Sequence, residues 1–345
     1  MARPDVTVMG AGIFGLSIAW ACAKAGAQVQ VIDPHGPGAG ASGGVVGALA
    51  PHVPENWNDK KAFQLESLLM AGAFWADVAA ASGISAGYGR LGRLQPVADE
   101  RGLEMARARE ETAKALWGDA AVWEVIAPPG DSWAPASPMG YVIRDTLSAR
   151  MHPRRACQAL AAALHARGAW LVKEGVAEGR VVHATGVAGL EELSRETGRA
   201  VGNGVKGQGA LLHFAAPHAP QLFADGIHVV PHEDGTTAIG STSEREYDDP
   251  VSTDEKLDEV IERAMRAVPV LHGARVVERW AGLRPRAKSR APMLGAHPLR
   301  PGEFIANGGF KIGFGMAPKV AEVMAALILE GRDGIPEGFR PEASL

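Results

Sequence analysis

The stretch Val6-Thr7-Val8-Met9-Gly10-Ala11-Gly12-Ile13-Phe14-Gly15 decides how the rest of this chain is read. Its first four residues are a short β-type run, and the glycines that follow keep the spacing G-x-G-x-x-G. From Phe14 onward Phe14, Ile18, Ala21, Cys22 and Ala25 recur at helical spacing until Gly26. A second strand, Gln28 to Ile32, then ends at Asp33. Strand, glycine turn, helix, strand and acid together make the dinucleotide-binding fingerprint. Gly10 permits the tight turn, Gly12 lets the backbone approach a pyrophosphate, and Gly15 allows the helix to pack on the strand. The helix start, at Ile13 and Phe14, offers the phosphates unpaired N–H groups and the positive end of a dipole. Asp33 is placed to accept hydrogen bonds from the adenosine ribose, and its charge would repel a 2′-phosphate.

Beyond Asp33 the chain runs through Pro34 to Pro51 almost entirely in small residues. A nicotinamide domain would return promptly to a helix here. A long small-residue loop instead suits a chain lying flat along an extended cofactor, where side chains would collide and backbone N–H groups can bond it.

The whole chain sets limits on this reading. Its 345 residues suffice for two domains or one large composite α/β unit. A formal net charge of -4 supplies no global electrostatic reason to bind nucleic acid or an anionic membrane. Cys22 and Cys157 both fall in apolar helical segments, so neither a zinc site nor a disulfide framework is expected, and no metal. Two buried, reduced thiols suit a cytoplasmic protein. The apolar N-terminal stretch is broken by spaced glycines and is not expected to be a signal peptide. No run of roughly 18 apolar residues suggests a membrane span.

Several further segments point the same way: Ala41-Ser42 through Gly47-Ala48-Leu49, and Val181-Val182-His183-Ala184-Thr185-Gly186. To these add Trp280-Ala281-Gly282-Leu283-Arg284-Pro285 with Pro292-Met293-Leu294-Gly295, and Phe304 through Gly308-Gly309-Phe310-Lys311-Ile312-Gly313 to Pro318. Together they resemble the D-amino-acid oxidase family of flavoenzymes, and within it the glycine oxidase branch. The resemblance spans most of the chain and is strongest at its two ends.

It implies FAD, with Ala41, Ser42, Gly47, Ala48 and Leu49 along the flavin and Thr185 and Gly186 beside the adenosine and diphosphate. Gly309, Phe310, Lys311, Ile312 and Gly313 would face the flavin N1–C2=O edge, where backbone N–H groups and a helix N-terminus stabilise negative charge. Family members with covalent flavin use a cysteine near this loop; none is present, so FAD is expected to be non-covalent. The stretch from Gly168 to Gly179 is shorter than the family usually has, which implies a trimmed hairpin or strand.

The implied fold is α/β. A Rossmann-like FAD-binding domain (1–85, 140–204 and 276–345) is interleaved with a substrate domain (86–139 and 205–275) built on a mixed sheet plus helices. Local signals add detail. A helix is predicted from about Lys60 to Ala81. The segment Tyr88 to Val97 reads as a turn into a strand whose Arg90 and Arg93 are expected to be solvated. Ser252-Thr253-Asp254-Glu255 reads as a capping-box start for a helix with Leu257, Val260, Ile261, Ala264 and Val268 inward. Pro318 suits the first position of a last helix that buries Val320, Val323, Met324, Leu327 and Ile328 and stops at Gly331.

The implied activity is oxidation of an amino acid or secondary amine of the glycine, sarcosine or D-amino acid type to an imine. Hydride passes to flavin N5, and O2 reoxidises the flavin to give H2O2. The partners are then a small-molecule substrate and O2, with no nucleic acid. Arg284 is the candidate for the substrate carboxylate, because a planar guanidinium binds it bidentately. Lys311 stands where glycine oxidases often carry arginine, and either assists binding or lines the pocket. His228 stands where the family usually has tyrosine or another large residue. His52 is a turn histidine or a flavin contact. Two alternatives stay open: a tRNA wobble-uridine-modifying FAD oxidoreductase, and a flavoprotein with FAD in a non-catalytic role.

Overall fold

The computed structural model describes residues 3–345. Two large sheets carry the fold. In the first, strands run in the order Met293–Ala296, Phe304–Asn307, Arg180–His183, Val6–Met9, Val29–Ile32 and Trp170–Val172. All neighbours are parallel except the edge pair Met293–Ala296 and Phe304–Asn307. The fingerprint is therefore central: Val6–Met9 is flanked by Val29–Ile32 and Arg180–His183, and helix Ile13–Lys24 links the first two. Parallel strands buried on both faces need continuous apolar runs, and Val6, Val8, Val29 and Val31 are all buried.

Helices Ile13–Lys24, Asp59–Ser82, Pro153–Ala166 and Gly313–Glu330 pack on one another beside this sheet. The first is enclosed nearly all round, with Leu16, Ile18 and Cys22 wholly buried. Between Val172 and Arg180 the chain forms no regular element.

The second sheet has eight strands, in the order Arg275–Ala287, Gly202–His213, Thr236–Gly240, Ile227–Pro231, Gln221–Ala224, Arg93–Pro96, Val142–Asp145 and Trp123–Ile126. Only the Gln221–Ala224 and Arg93–Pro96 pair is parallel, so the sheet is mixed, as expected. One face, with Ala210, Leu212, Ile227, Val229 and Ile239, is covered by Leu257, Val260, Ile261 and Ala264 of helix Glu255–Ala267. The opposite face, with Leu211, Val230 and Ala238, packs against Val45 and Val46 of the small-residue loop. That contact seats the loop that follows the fingerprint against the mixed sheet.

Val142–Asp145, Gly202–His213 and Arg275–Ala287 all lie in the eight-stranded sheet.

Two helix starts shift. Helix Glu255–Ala267 is capped by Asp254, not by Ser252. Gln208 holds Asp254 from both sides, donating to its carboxylate at 2.6 Å and accepting from its N–H at 2.9 Å, and so anchors that residue outside the helix. The last helix begins at Gly313, which places Pro318 inside it. An interior proline costs about 3 kcal/mol in a helix. Met316, Val320, Met324 and Ile328 are wholly buried, at about 1.5–3 kcal/mol each, and outweigh that cost. The Lys319 N–H bonds Ser67 Oγ at 3.2 Å just past the proline.

Candidate active site

At the fingerprint, Gly10 has φ +105°, and a Cβ there would lie 2.4 Å from the Ala184 carbonyl oxygen. A Cβ on Gly15 would lie 2.0 Å from the Gly10 carbonyl oxygen. Both positions thus require glycine for the helix and the neighbouring strand end to meet. Asp33 Oδ2 accepts from the Ala11 N–H at 2.8 Å, and Oδ1 accepts from His35 and Gly36 at 2.9 and 3.1 Å. A carboxylate has roughly four lone-pair sites, so about one is left for a ribose hydroxyl.

Ser42 is turned inward. Its Oγ accepts from the Ile13 N–H at 2.9 Å and lies 3.3 Å from where a Gly12 Cβ would stand. It caps the helix and sets the loop against it, while the Phe14 and Gly15 N–H groups, in the first turn, have no acceptor within the helix. Gly47 serves chain packing: a Cβ there would lie 1.8 Å from the Met151 carbonyl oxygen, and the Met151 N–H bonds the Gly47 carbonyl at 2.9 Å. Ala48 and Leu49 pair with Arg150 and Ala149; Leu49 is buried and Ala48 half-buried. His232 Nε2 lies 3.0 Å from the Val45 carbonyl oxygen and fixes the loop from below.

The C-terminal loop closes onto this region. A Cβ on Gly309 would lie 3.0 Å from the Phe14 ring, and one on Gly313 3.5 Å from Ile13 Cγ2. The N-termini of helices Ile13–Lys24 and Gly313–Glu330 therefore meet, two positive dipole ends side by side. Asn307 ties in Thr185 and Gly186 by donating to the Gly186 carbonyl at 2.9 Å while accepting from the Gly308 N–H at 2.7 Å. The Phe310 N–H bonds the Pro285 carbonyl at 3.0 Å, which seats Phe310, Lys311 and Ile312 beside Arg284. Two converging helix N-termini, an acid at the strand end and main chain free of bulky side chains fit an extended dinucleotide.

The wall facing this site is the second sheet. Trp280, Gly209, Gly240 and His228 are paired in one row across four strands, so they share a face. Val45 and Val46 cover the two glycines, and a Cβ on Gly240 would lie 2.8 Å from Val46 Cγ2. Arg284 lies on the same face. Its guanidinium crosses Gly207, where a Cβ would come within 1.8 Å of Nη1. Nη1 donates to the Thr242 carbonyl at 3.2 Å and Nη2 to Ser241 Oγ at 2.7 Å.

Among the described residues no carboxylate pairs with Arg284. Burial lowers its pKa to about 10, against the raising effect of the Glu244 charge, and it stays protonated at neutral pH. Lys311 is exposed, with Nζ 5.7 Å from the Phe310 ring centroid. Partial burial, then the Arg284 charge, lowers its pKa. His228 packs on Phe223 at 4.6 Å between ring centroids. Burial first, then the charges of Arg93, Lys311 and Arg284, lower its pKa to about 3, so the imidazole is neutral.

Ser241, Thr242, Gly207 and Trp280 complete this wall without having been singled out as site residues. Only the Gly207-Gln208-Gly209 spacing hints at a floor of missing side chains. Arg93, expected to be solvated, is buried and bonds Asp145 at 2.9 Å; the neighbouring strand supplies the acid. Arg90 donates to the Thr146 and Ala120 carbonyls. The His52 N–H donates to Gln64 Oε1 at 2.7 Å, and its Nδ1 lies 2.5 Å from the same oxygen. Cys22 and Cys157 are free and buried, their thiols pushed up to about 12 by desolvation.

The family model described as FAD dependent oxidoreductase matches residues 5–327. A glycine oxidase from Pseudomonas putida is 33% identical over 144 residues, 41% of this chain and 39% of that protein. The match thus spans well under half the length of that relative. A glycine oxidase from Geobacillus kaustophilus is 25% identical over 94% of this chain and 93% of that protein. A crystal structure of glycine oxidase from the same organism superposes with a TM-score of 0.85 at 22% identity, covering 99% of this chain and 98% of that one. A crystal structure of iminodiacetate oxidase from Chelativorans sp. BNC1 gives 0.83 at 22% identity, covering 97% and 98%. Among the described residues no helix is long and apolar enough to cross a membrane, and no group of His, Cys, Asp and Glu could hold a metal ion.

Proposed function

The chain belongs to the DAO family of FAD-dependent oxidoreductases, and on that premise we propose that it oxidises a small amino acid or secondary amine at its Cα–N bond to an imine. The names of the relatives, glycine oxidase and iminodiacetate oxidase, support this class. Arg284 carries the reading: a charged guanidinium on the wall of the cleft, held by Ser241 and Thr242, with no protein carboxylate. Such a group offers a substrate carboxylate two parallel hydrogen bonds, stronger in a desolvated site than in water. Binding there fixes Cα, so that orientation rather than an acid or base supplies most of the rate. Lys311 adds a second cation at the same wall. FAD, held by Ile13, Phe14, Asp33, Ser42 and the loop from Gly309 to Gly313, would supply the two-electron acceptor, with O2 as the final oxidant giving H2O2. The imine then hydrolyses in water.

Arg284→Ala tests this directly. It should cost roughly 2–5 kcal/mol of binding to an amino acid substrate, much of it from the carboxylate left unpaired. In kinetics that is a fall in kcat/KM of about 30-fold to several thousand-fold. FAD content should stay normal, an amine without a carboxylate should lose far less, and Arg284→Lys should recover only part. A wild-type rate for the Ala variant would remove Arg284 from the site and move the assignment to Lys311.

A further inference from the structure

We propose that the His228 imidazole accepts a hydrogen bond from the N–H of the substrate amine while Arg284 holds the carboxylate, which makes His228 the residue that reads the amine. The proposal rests on the amine-oxidase reading above and deepens it. Three observations place His228 there. It ends the row Trp280, Gly209, Gly240, His228 on the sheet face that carries Arg284, and its strand partner Gly240 directly precedes Ser241, which binds the guanidinium. Gly209 and Gly240 lie between Trp280 and His228 in that row, under Val45 and Val46 of the small-residue loop.

The imidazole is also unclaimed. Among the described residues its Nδ1 is buried without a partner, although polar groups enclosed in a fold are almost always bonded. Its ring is held from one side by Phe223, so it is oriented without being hydrogen-bonded.

The charges around it fix what it can do. Arg284 and Lys311 have no acidic partner among the described residues, and Arg93 is already paired with Asp145. A protonated imidazole would add a further cation to this group, and burial opposes it as well. A neutral imidazole keeps one nitrogen as an acceptor. An amino acid with its amine unprotonated brings the complementary pattern: a carboxylate for the cations and N–H donors for the ring. One contact at each end sets the line from carboxylate to amine, where either alone would leave the molecule free to rotate.

The test compares His228→Phe, which keeps a ring and removes the nitrogens, with His228→Gln, which restores an acceptor. Both are assayed as FAD-loaded enzymes with glycine and sarcosine, and with acetate as a competitive inhibitor that has the carboxylate and no amine. The Phe variant should lose roughly 10-fold to 100-fold in kcat/KM, the Gln variant clearly less, and the inhibition constant of acetate should move by less than about threefold in both. Unchanged kcat/KM in the Phe variant overturns the proposal. So does an equal loss of acetate binding, which would mark a structural role.

The unmutated enzyme gives an independent reading. N,N-dimethylglycine has no N–H as the free amine and should be a far poorer substrate than sarcosine; equal kcat/KM for the two also overturns the proposal. Wild-type enzyme that oxidises none of these amines contradicts the amine-oxidase reading itself, a result distinct from either failure of His228.

Discussion

Gly207 is where a single atom matters most. An alanine methyl there would lie 1.8 Å from Arg284 Nη1, and the guanidinium, the far end of a flexible side chain, is what can move. Moving it gives up the Ser241 and Thr242 contacts that aim it. Gly207→Ala should therefore raise KM for an amino acid substrate by about tenfold, a loss of roughly 1.4 kcal/mol, with FAD content unaltered. Steady-state kinetics alongside the FAD-to-protein ratio check this, and unchanged kinetics would show that Arg284 does not bind substrate from its present position. Arg284 was legible in the sequence because it sits in a recognisable run, Gly282-Leu283-Arg284-Pro285. Its partners were not: Ser241, Thr242 and Gly207 reach it only through strand pairing, and their spacing in the chain carries no trace of that. His228 was visible as a departure from the family pattern. Its open nitrogen and cationic neighbours needed coordinates.

Elements were legible where they obey their own periodicity. The helix over Asp59–Ser82 and the apolar face of Glu255–Ala267 follow directly from spacing, since burying one side of a helix leaves a repeat in the sequence. Helix starts were harder, because tertiary contacts decide them. Gln208 clamps Asp254, and packing starts the last helix five residues before its proline. The strand Arg93–Pro96 shows the same limit: Arg93 was expected in solvent, but its strand pairs with Val142–Asp145 and meets Asp145 there. Asp145 also accepts from the Ser148 N–H at 2.7 Å, so this buried acid fastens both the strand and the turn after it. Removing one partner of a buried pair costs about 3–5 kcal/mol, because the other charge is left without compensation. Asp145→Ala should therefore lower stability by that amount in a denaturant titration of the FAD-loaded protein. A change below about 1 kcal/mol, the range of an exposed pair, would mean that water reaches Arg93.

At the scale of the whole molecule, one arrangement joins the parts. The six-stranded sheet presents the fingerprint turn, the loop through Val45 and Val46 leaves it for the face of the mixed sheet, and the last loop leaves strand Phe304–Asn307 of the six-stranded sheet, bonds Pro285 of the mixed sheet and reaches Ile13 and Phe14. The dinucleotide site is thus built from both ends of the chain, with Lys311 in its last loop and Arg284 and His228 on one face of the mixed sheet. On the proposed reading, this fold brings an amine-bearing carboxylate to a flavin and asks little other chemistry of the protein. The most direct measurement is anaerobic mixing of the purified, FAD-loaded protein with glycine, sarcosine, D- and L-amino acids and small secondary amines, followed by admission of O2. The visible flavin absorption should bleach with at least one amine that carries a carboxylate, and return with O2 as H2O2 accumulates in step with the amine consumed. A flavin band that stays oxidised with every one of these compounds would contradict the proposed activity.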